Sequence, residues 1–107
     1  MIDNEKNSLF RVLAVLEAKD ESRQHLLNIL LSLLKPAREE EGNISYDLYC
    51  STLNPNEFLL DELWYTKGDF VRHYESPKSY IDRERVNSLM NRPLHISTYI
   101  EINESDI

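Results

Sequence analysis

The sequence predicts an α+β domain whose elements run β-α-β-β-α-α-β. Three observations carry that order. Apolar residues alternate with the strand period of two over residues 9–19, 44–51, 57–65 and 94–102. Leucines recur at helical spacing over residues 26–34. A Ser76-Pro77 step then divides the second crossover into two short helices, because Pro is favoured at the first helical position. The chain has 107 residues, 41% of them hydrophobic and 29% charged, which suits one soluble domain over 1–107 with flexible ends at 1–7 and 103–107.

In the first strand Phe10, Val12, Ala14, Leu16 and Ala18 share one side. Leu9, Leu13 and Val15 lie among Arg11, Glu17 and Lys19 on the other, so both faces are apolar in the middle. An antiparallel sheet covered on one side normally shows polar residues on its second face, so a further cover is expected there. Asp20 is placed to cap the following helix, with Glu21 in its first turn. Leu26, Leu30, Leu33, Leu34 and Ala37 form its apolar stripe. Pro36 lacks a backbone donor and predicts a kink, after which the helix continues through 37–41 to a glycine stop at Gly42. The acidic run 39–41 reads as a solvated helix end.

Ile44, Tyr46, Leu48 and Cys50 make one face of the second strand, and Asn54-Pro55-Asn56 is a turn. On the third strand Phe58, Leu60, Glu62 and Trp64 face one way, and Leu59, Asp61, Leu63 and Tyr65 the other. Thr66 caps a helix reaching Tyr74, and Ser76 caps another with a broken stripe of Ile81, Val86, Leu89 and Met90. Arg92-Pro93 ends it. In the last strand Leu94, Ile96, Thr98, Ile100 and Ile102 are expected inward. This is the ferredoxin-like order: a four-stranded antiparallel sheet with helices on one face. The apolar content of the open face predicts a homodimer in which two sheets meet, a dimeric α/β barrel.

Acidic residues (19) outnumber basic ones (12), for a formal charge of −7, which argues against a nucleic-acid partner. Cys50 is the sole cysteine, so no intrachain disulfide can form. The start of the chain is polar without a secretory h-region, and the apolar run 26–34 is too short to span a bilayer. A cytoplasmic protein with no membrane partner is expected. His25 and His95 are not spaced to share a metal with His73, so no metal is expected, and no phosphate loop, dinucleotide fingerprint or nucleophile elbow occurs.

The chemistry concentrates in residues 62–77. Glu62 and Trp64 share a strand face, and His73 follows on a short helix. Trp64 either stacks on a flat substrate or fills the core. Glu62 is either a general base whose pKa burial raises, or a structural partner of Arg72, Arg83 or Arg85. His73 either shuttles a proton or packs. Tyr46 and Tyr74 can orient a phenolic or carbonyl oxygen, or sit in the core with tethered hydroxyls. Arg83 and Arg85 can receive an anion or remain solvated helix charges.

Three stretches resemble the antibiotic biosynthesis monooxygenase-like family of dimeric α+β barrels: Glu40-Glu41-Gly42-Asn43-Ile44-Ser45-Tyr46-Asp47-Leu48, the E-x-W of Glu62-Leu63-Trp64, and Phe70, His73, Ser76 and Pro77. The resemblance spans about residues 9–102. It implies a cofactor-independent monooxygenase acting on a small aromatic, quinol-like or other electron-rich substrate. Trp64 would stack, His73 or Glu62 would handle the proton, Tyr46 would orient, and Phe70 and Tyr74 would line the pocket. It also implies two alternatives. One is an isomerase of a phosphorylated carbonyl compound, similar to the autoinducer-2 phosphate branch through Glu40-Glu41-Gly42-Asn43 and Ser88-Leu89-Met90, with Arg83 or Arg85 turned inward. The other is a non-catalytic metabolite-binding dimer. The haem-degrading members' Asn on the first strand and His on the last long helix have no counterpart here, which argues against haem degradation.

Overall fold

Four antiparallel strands form one sheet in the order β2-β3-β1-β4. The computed structural model describes residues 8–106. Of the flexible ends expected at 1–7 and 103–107, residues 1–7 and 107 lie outside the described residues. The elements are β1 (Phe10–Glu17), a 3-10 turn (Asp20–Ser22), α1 (Arg23–Arg38), β2 (Asn43–Cys50), β3 (Glu57–Trp64), α2 (Lys67–Tyr74), α3 (Pro77–Asn87) and β4 (His95–Ile100). The predicted order therefore stands, as does the ferredoxin-like fold. Beyond β4, Glu104–Asp106 form one more 3-10 turn. No helix among the described residues is long and apolar enough to cross a membrane.

Register explains where the core sits. Phe10, Val12, Ala14 and Leu16 of β1 pair with Trp64, Glu62, Leu60 and Phe58 of β3, and all eight are buried. Leu26, Ile29, Leu30 and Ala37 of α1 close over them. The opposite face carries Leu13, Val15, Leu59 and Leu63, each only half-buried.

Several local expectations change. Asp20 does not cap α1: it begins the 3-10 turn, and its carboxylate accepts from Asn56 Nδ2. Pro36 sits inside α1, which runs on only to Arg38. Gly42 is not at the helix stop but further along, in the turn entering β2, at φ +86°. Ile81, placed in the core stripe of α3, is exposed, because the buried anchor of this helix is Val86. Thr98 and Ile102, expected inward, are exposed as well. Strand β4 forms one edge of the sheet, and a period of two can assign sides but not the extent of helical cover.

Candidate functional site

Glu62 lies at the middle of the helix-covered face because β3 alternates strictly between Leu60 and Trp64. Its cross-strand neighbours on that face are Val12 of β1 and Tyr46 of β2. Only 5% of it is exposed, and it is the charged residue of an otherwise apolar and aromatic buried set. The Trp64 indole Nε1–H donates to Glu62 Oε1 at 3.1 Å. None of the arginines considered as partners pairs with it. Arg72 bonds Asp69, Arg83 donates to the Tyr74 carbonyl, and Arg85 reaches Asp82. The structural ion pair is thereby corrected. Burial disfavours the charged carboxylate and raises its pKa to about 7, with Glu40 and Asp61 adding to the rise and the indole hydrogen bond opposing it.

The second part of the site comes from the turn before β2. Gly42 takes a left-handed conformation, and the Asp69 carboxylate of α2 fills the space a Cβ would need. Thr66 Oγ1 caps α2 by accepting from the Asp69 amide at 3.1 Å. Arg72 donates to the Glu41 carbonyl at 3.1 Å, and the Tyr65 amide donates to the Gly42 carbonyl at 2.9 Å. This clasp ties the turn to α2 and sets Glu40 against His73. His73 Nδ1 lies 2.9 and 2.8 Å from the two Glu40 carboxylate oxygens. The acidic run is thus not merely a solvated helix end: Glu40 is a site residue that the sequence reading missed. Its place in the acidic-Gly turn was the available signal, but its partner lies 33 positions away.

Between the sheet and the helices lies a cavity of about 80 Å³ that opens to solvent. Ala14, Leu16, Leu60, Val86 and Ile96 contribute its hydrocarbon surface. Glu62, Tyr46, His73 and Glu40 line it as a polar wall, and Phe70, Tyr74 and Arg83 also reach it. Lys78, Ser79 and Asp82 of α3 line it too, none of which stood out in the sequence. The Tyr46 hydroxyl stays protonated, because burial first, and then Glu62, Glu40 and Asp82, disfavour the phenolate.

Trp64 is fully buried and does not line the cavity. Its ring centroid is 4.8 Å from that of His73 and 6.4 Å from that of Phe70. It has no open face for a substrate to stack on, and its visible work is to hold Glu62. Arg83 lies over the Tyr74 ring, with Cζ 3.8 Å from the centroid. Among the described residues no group of three or more His, Cys, Asp and Glu is placed to hold a metal ion. The arrangement offers a carboxylate poised near neutrality, an imidazole oriented by a second carboxylate, and a hydroxyl that can only donate or accept as a neutral group. Such a set can remove a proton from a substrate held against hydrocarbon walls.

The family profile described as antibiotic biosynthesis monooxygenase matches residues 9–79. YcnE of Bacillus subtilis is 29% identical over 83 residues, covering 78% of this chain and 87% of that protein. An uncharacterized Synechocystis protein, sll1783, is 25% identical over 84 residues, but the match spans only 57% of its length. Among solved structures, Rv0793 of Mycobacterium tuberculosis superposes with a TM-score of 0.84 at 28% identity, over 92% of this chain and 99% of that one. YcnE and Rv0793 both carry provisional monooxygenase names. A conserved protein of Methanosarcina mazei reaches a TM-score of 0.84 at 24% identity, over 92% of this chain and 97% of that one, which speaks to fold alone.

Proposed function

Because the chain belongs to the antibiotic biosynthesis monooxygenase family, we propose that its cavity binds a small aromatic, quinol-like or other electron-rich substrate and oxygenates it without a cofactor. The observation that carries this reading is Glu62, a buried carboxylate that has no cationic partner among the described residues and lines a largely hydrocarbon cavity. Glu62 takes the acidic proton of the substrate, so charge moves from the carboxylate to the substrate and no additional charge is buried. The Trp64 N–H keeps the carboxylate oriented. His73, held through Nδ1 by Glu40, keeps Nε2 for proton exchange with the developing oxygen species. The neutral Tyr46 hydroxyl orients the substrate oxygen.

The substrate anion then supplies the electrons. Its reaction with dioxygen forms a carbon–oxygen bond, and the peroxide takes up a proton. Loss of water from the hydroperoxide leaves a carbonyl at that carbon, a CH2 in an anthrone or a ring CH in a quinol. One oxygen atom enters the product and the other leaves as water.

A second copy of the chain covers the open face of the sheet in this reading, because Leu13, Val15, Leu59 and Leu63 leave a half-exposed apolar band there. Sedimentation equilibrium should return a dimer that Leu13→Glu dissociates, and a wild-type monomer would sink this part. Oxygen uptake against a panel of anthrones and quinols tests the chemistry. Glu62→Gln should lower turnover at least ~100-fold, within the range expected for losing a general base. No protein-dependent uptake with any member of the panel would count against an oxygenase. Uptake unchanged in Glu62→Gln would remove Glu62 from the mechanism.

A further inference from the structure

We infer that the cavity selects uncharged hydroxylated rings and excludes ligands bearing a carboxylate or phosphate. This rests on the aromatic-substrate reading above and adds a charge rule to it.

The rule follows from how the charges on the lining are spent. Three carboxylates reach the cavity, those of Glu40, Glu62 and Asp82. The cationic or protonatable groups on the same lining are Lys78, Arg83 and His73, and each is engaged by the protein itself. Lys78 Nζ bonds Asp82 Oδ2 at 2.8 Å. Arg83 donates to the Tyr74 carbonyl at 2.8 Å, with its Cζ 3.8 Å from the centroid of the Tyr74 ring. His73 Nδ1 is turned to Glu40. Glu62, the most deeply buried of the carboxylates, has an indole N–H as its partner and no cation among the described residues.

A carboxylate or phosphate entering this space would lose its water against side chains such as Leu16, Leu60 and Ile96. It would meet like charge at the polar wall, in surroundings of lowered dielectric. The long-range field works the same way, since the whole chain carries −7. The Tyr46 phenol registers the same environment, as its anionic form is opposed by all three carboxylates. A neutral hydroxyl meets no like-charge repulsion, loses less on leaving water, and finds acceptors in Glu62 and His73. Arg83, the anchor of the phosphorylated-carbonyl alternative, reaches the lining with its guanidinium already held by the Tyr74 carbonyl and ring.

Two ligands that share a hydroxynaphthalene ring and differ by one carboxylate test the rule: 2-naphthol and 6-hydroxy-2-naphthoate, titrated into the full chain at about pH 8, where the first is neutral and the second an anion. Binding is followed by NMR at the Tyr46 and His73 resonances. The naphthol should bind at least about tenfold more tightly, a gap of the size one unscreened like-charge contact produces. Asp82→Asn and Glu62→Gln should each narrow that gap, by improving binding of the acid. Equal or tighter binding of the acid would overturn the charge rule and leave the aromatic pocket standing. A gap unchanged in both variants would also overturn it, since the lining carboxylates would not be its cause. Failure of both ligands to move either resonance would sink the aromatic-substrate reading, and the charge rule with it.

Discussion

Asp61 and Glu62 are adjacent carboxylates on one strand, yet they point to opposite faces of the sheet and have opposite fates. Asp61 lies on the open face, pairs with Arg11 and keeps contact with water. Glu62 lies under the helices, has an indole as its partner and is pushed toward neutral pH by burial. A step of one residue along a strand exchanges a surface ion pair for a poised acid–base group. The difference teaches that the site is made by cover rather than by residue type. The helices desolvate one face, and a carboxylate left on that face becomes chemically useful.

The largest expected effect tests the covered face. Trp64→Ala should destabilise the fold by about 3–5 kcal/mol, because it opens a void beneath a fully buried ring and removes the donor to Glu62. Urea unfolding measures this, and a loss below about 1 kcal/mol would mean that the ring is not core.

Next comes the pH dependence of Glu62. A carboxyl whose folded pKa is raised to about 7 keeps its proton in the folded state after the unfolded chain has released it. Its contribution is therefore complete below the ordinary glutamate range and is lost as pH climbs through about 7. The loss is on the order of 3 kcal/mol. Glu62→Gln cannot titrate, so its stability relative to wild type should improve from pH 5 to pH 8 by about that amount. A constant difference between the two proteins across that range would show that Glu62 is not poised.

Gly42→Ala should follow, at roughly 1–3 kcal/mol, because it strains a left-handed backbone and displaces the Asp69 carboxylate. The same variant should loosen the contact between Glu40 and His73, seen as a change in the ¹⁵N shifts that report the imidazole tautomer. A variant with wild-type stability and shifts would dissolve the clasp. The smallest effect belongs to the open face. Arg11→Ala removes a partly exposed ion pair and should cost the folded chain less than about 1 kcal/mol. A loss as large as that of Trp64→Ala would erase the contrast between the faces.

Much of this was legible in local sequence pattern. The period of two over Phe58, Leu60, Glu62 and Trp64 placed those four on one buried face, and Thr66 and Ser76 cap their helices as their residue types predict. The same reasoning misplaced Ile81 and Thr98, since periodicity assigns a side without saying what covers it. Glu40, though part of the acidic-Gly turn, could not be singled out for a different reason. Within its own run, 39–41, it is one acidic residue among three, and only a partner 33 residues away distinguishes it. For Trp64 the sequence admits either a substrate-facing or a core role, and the outcome depends on whether a cavity opens beside the ring.

By itself, the sequence determined the order of elements, the faces of the strands and the candidate groups Glu62, His73 and Tyr46, because these follow from local periodicity, capping and side-chain chemistry. The tertiary structure alone decided which candidates meet. It turned Arg83 onto Tyr74, gave Glu62 an indole where a guanidinium was an option, and brought Glu40 to His73. Those outcomes depend on distances between residues far apart in the chain, and on how much water each group retains once the helices close over the sheet.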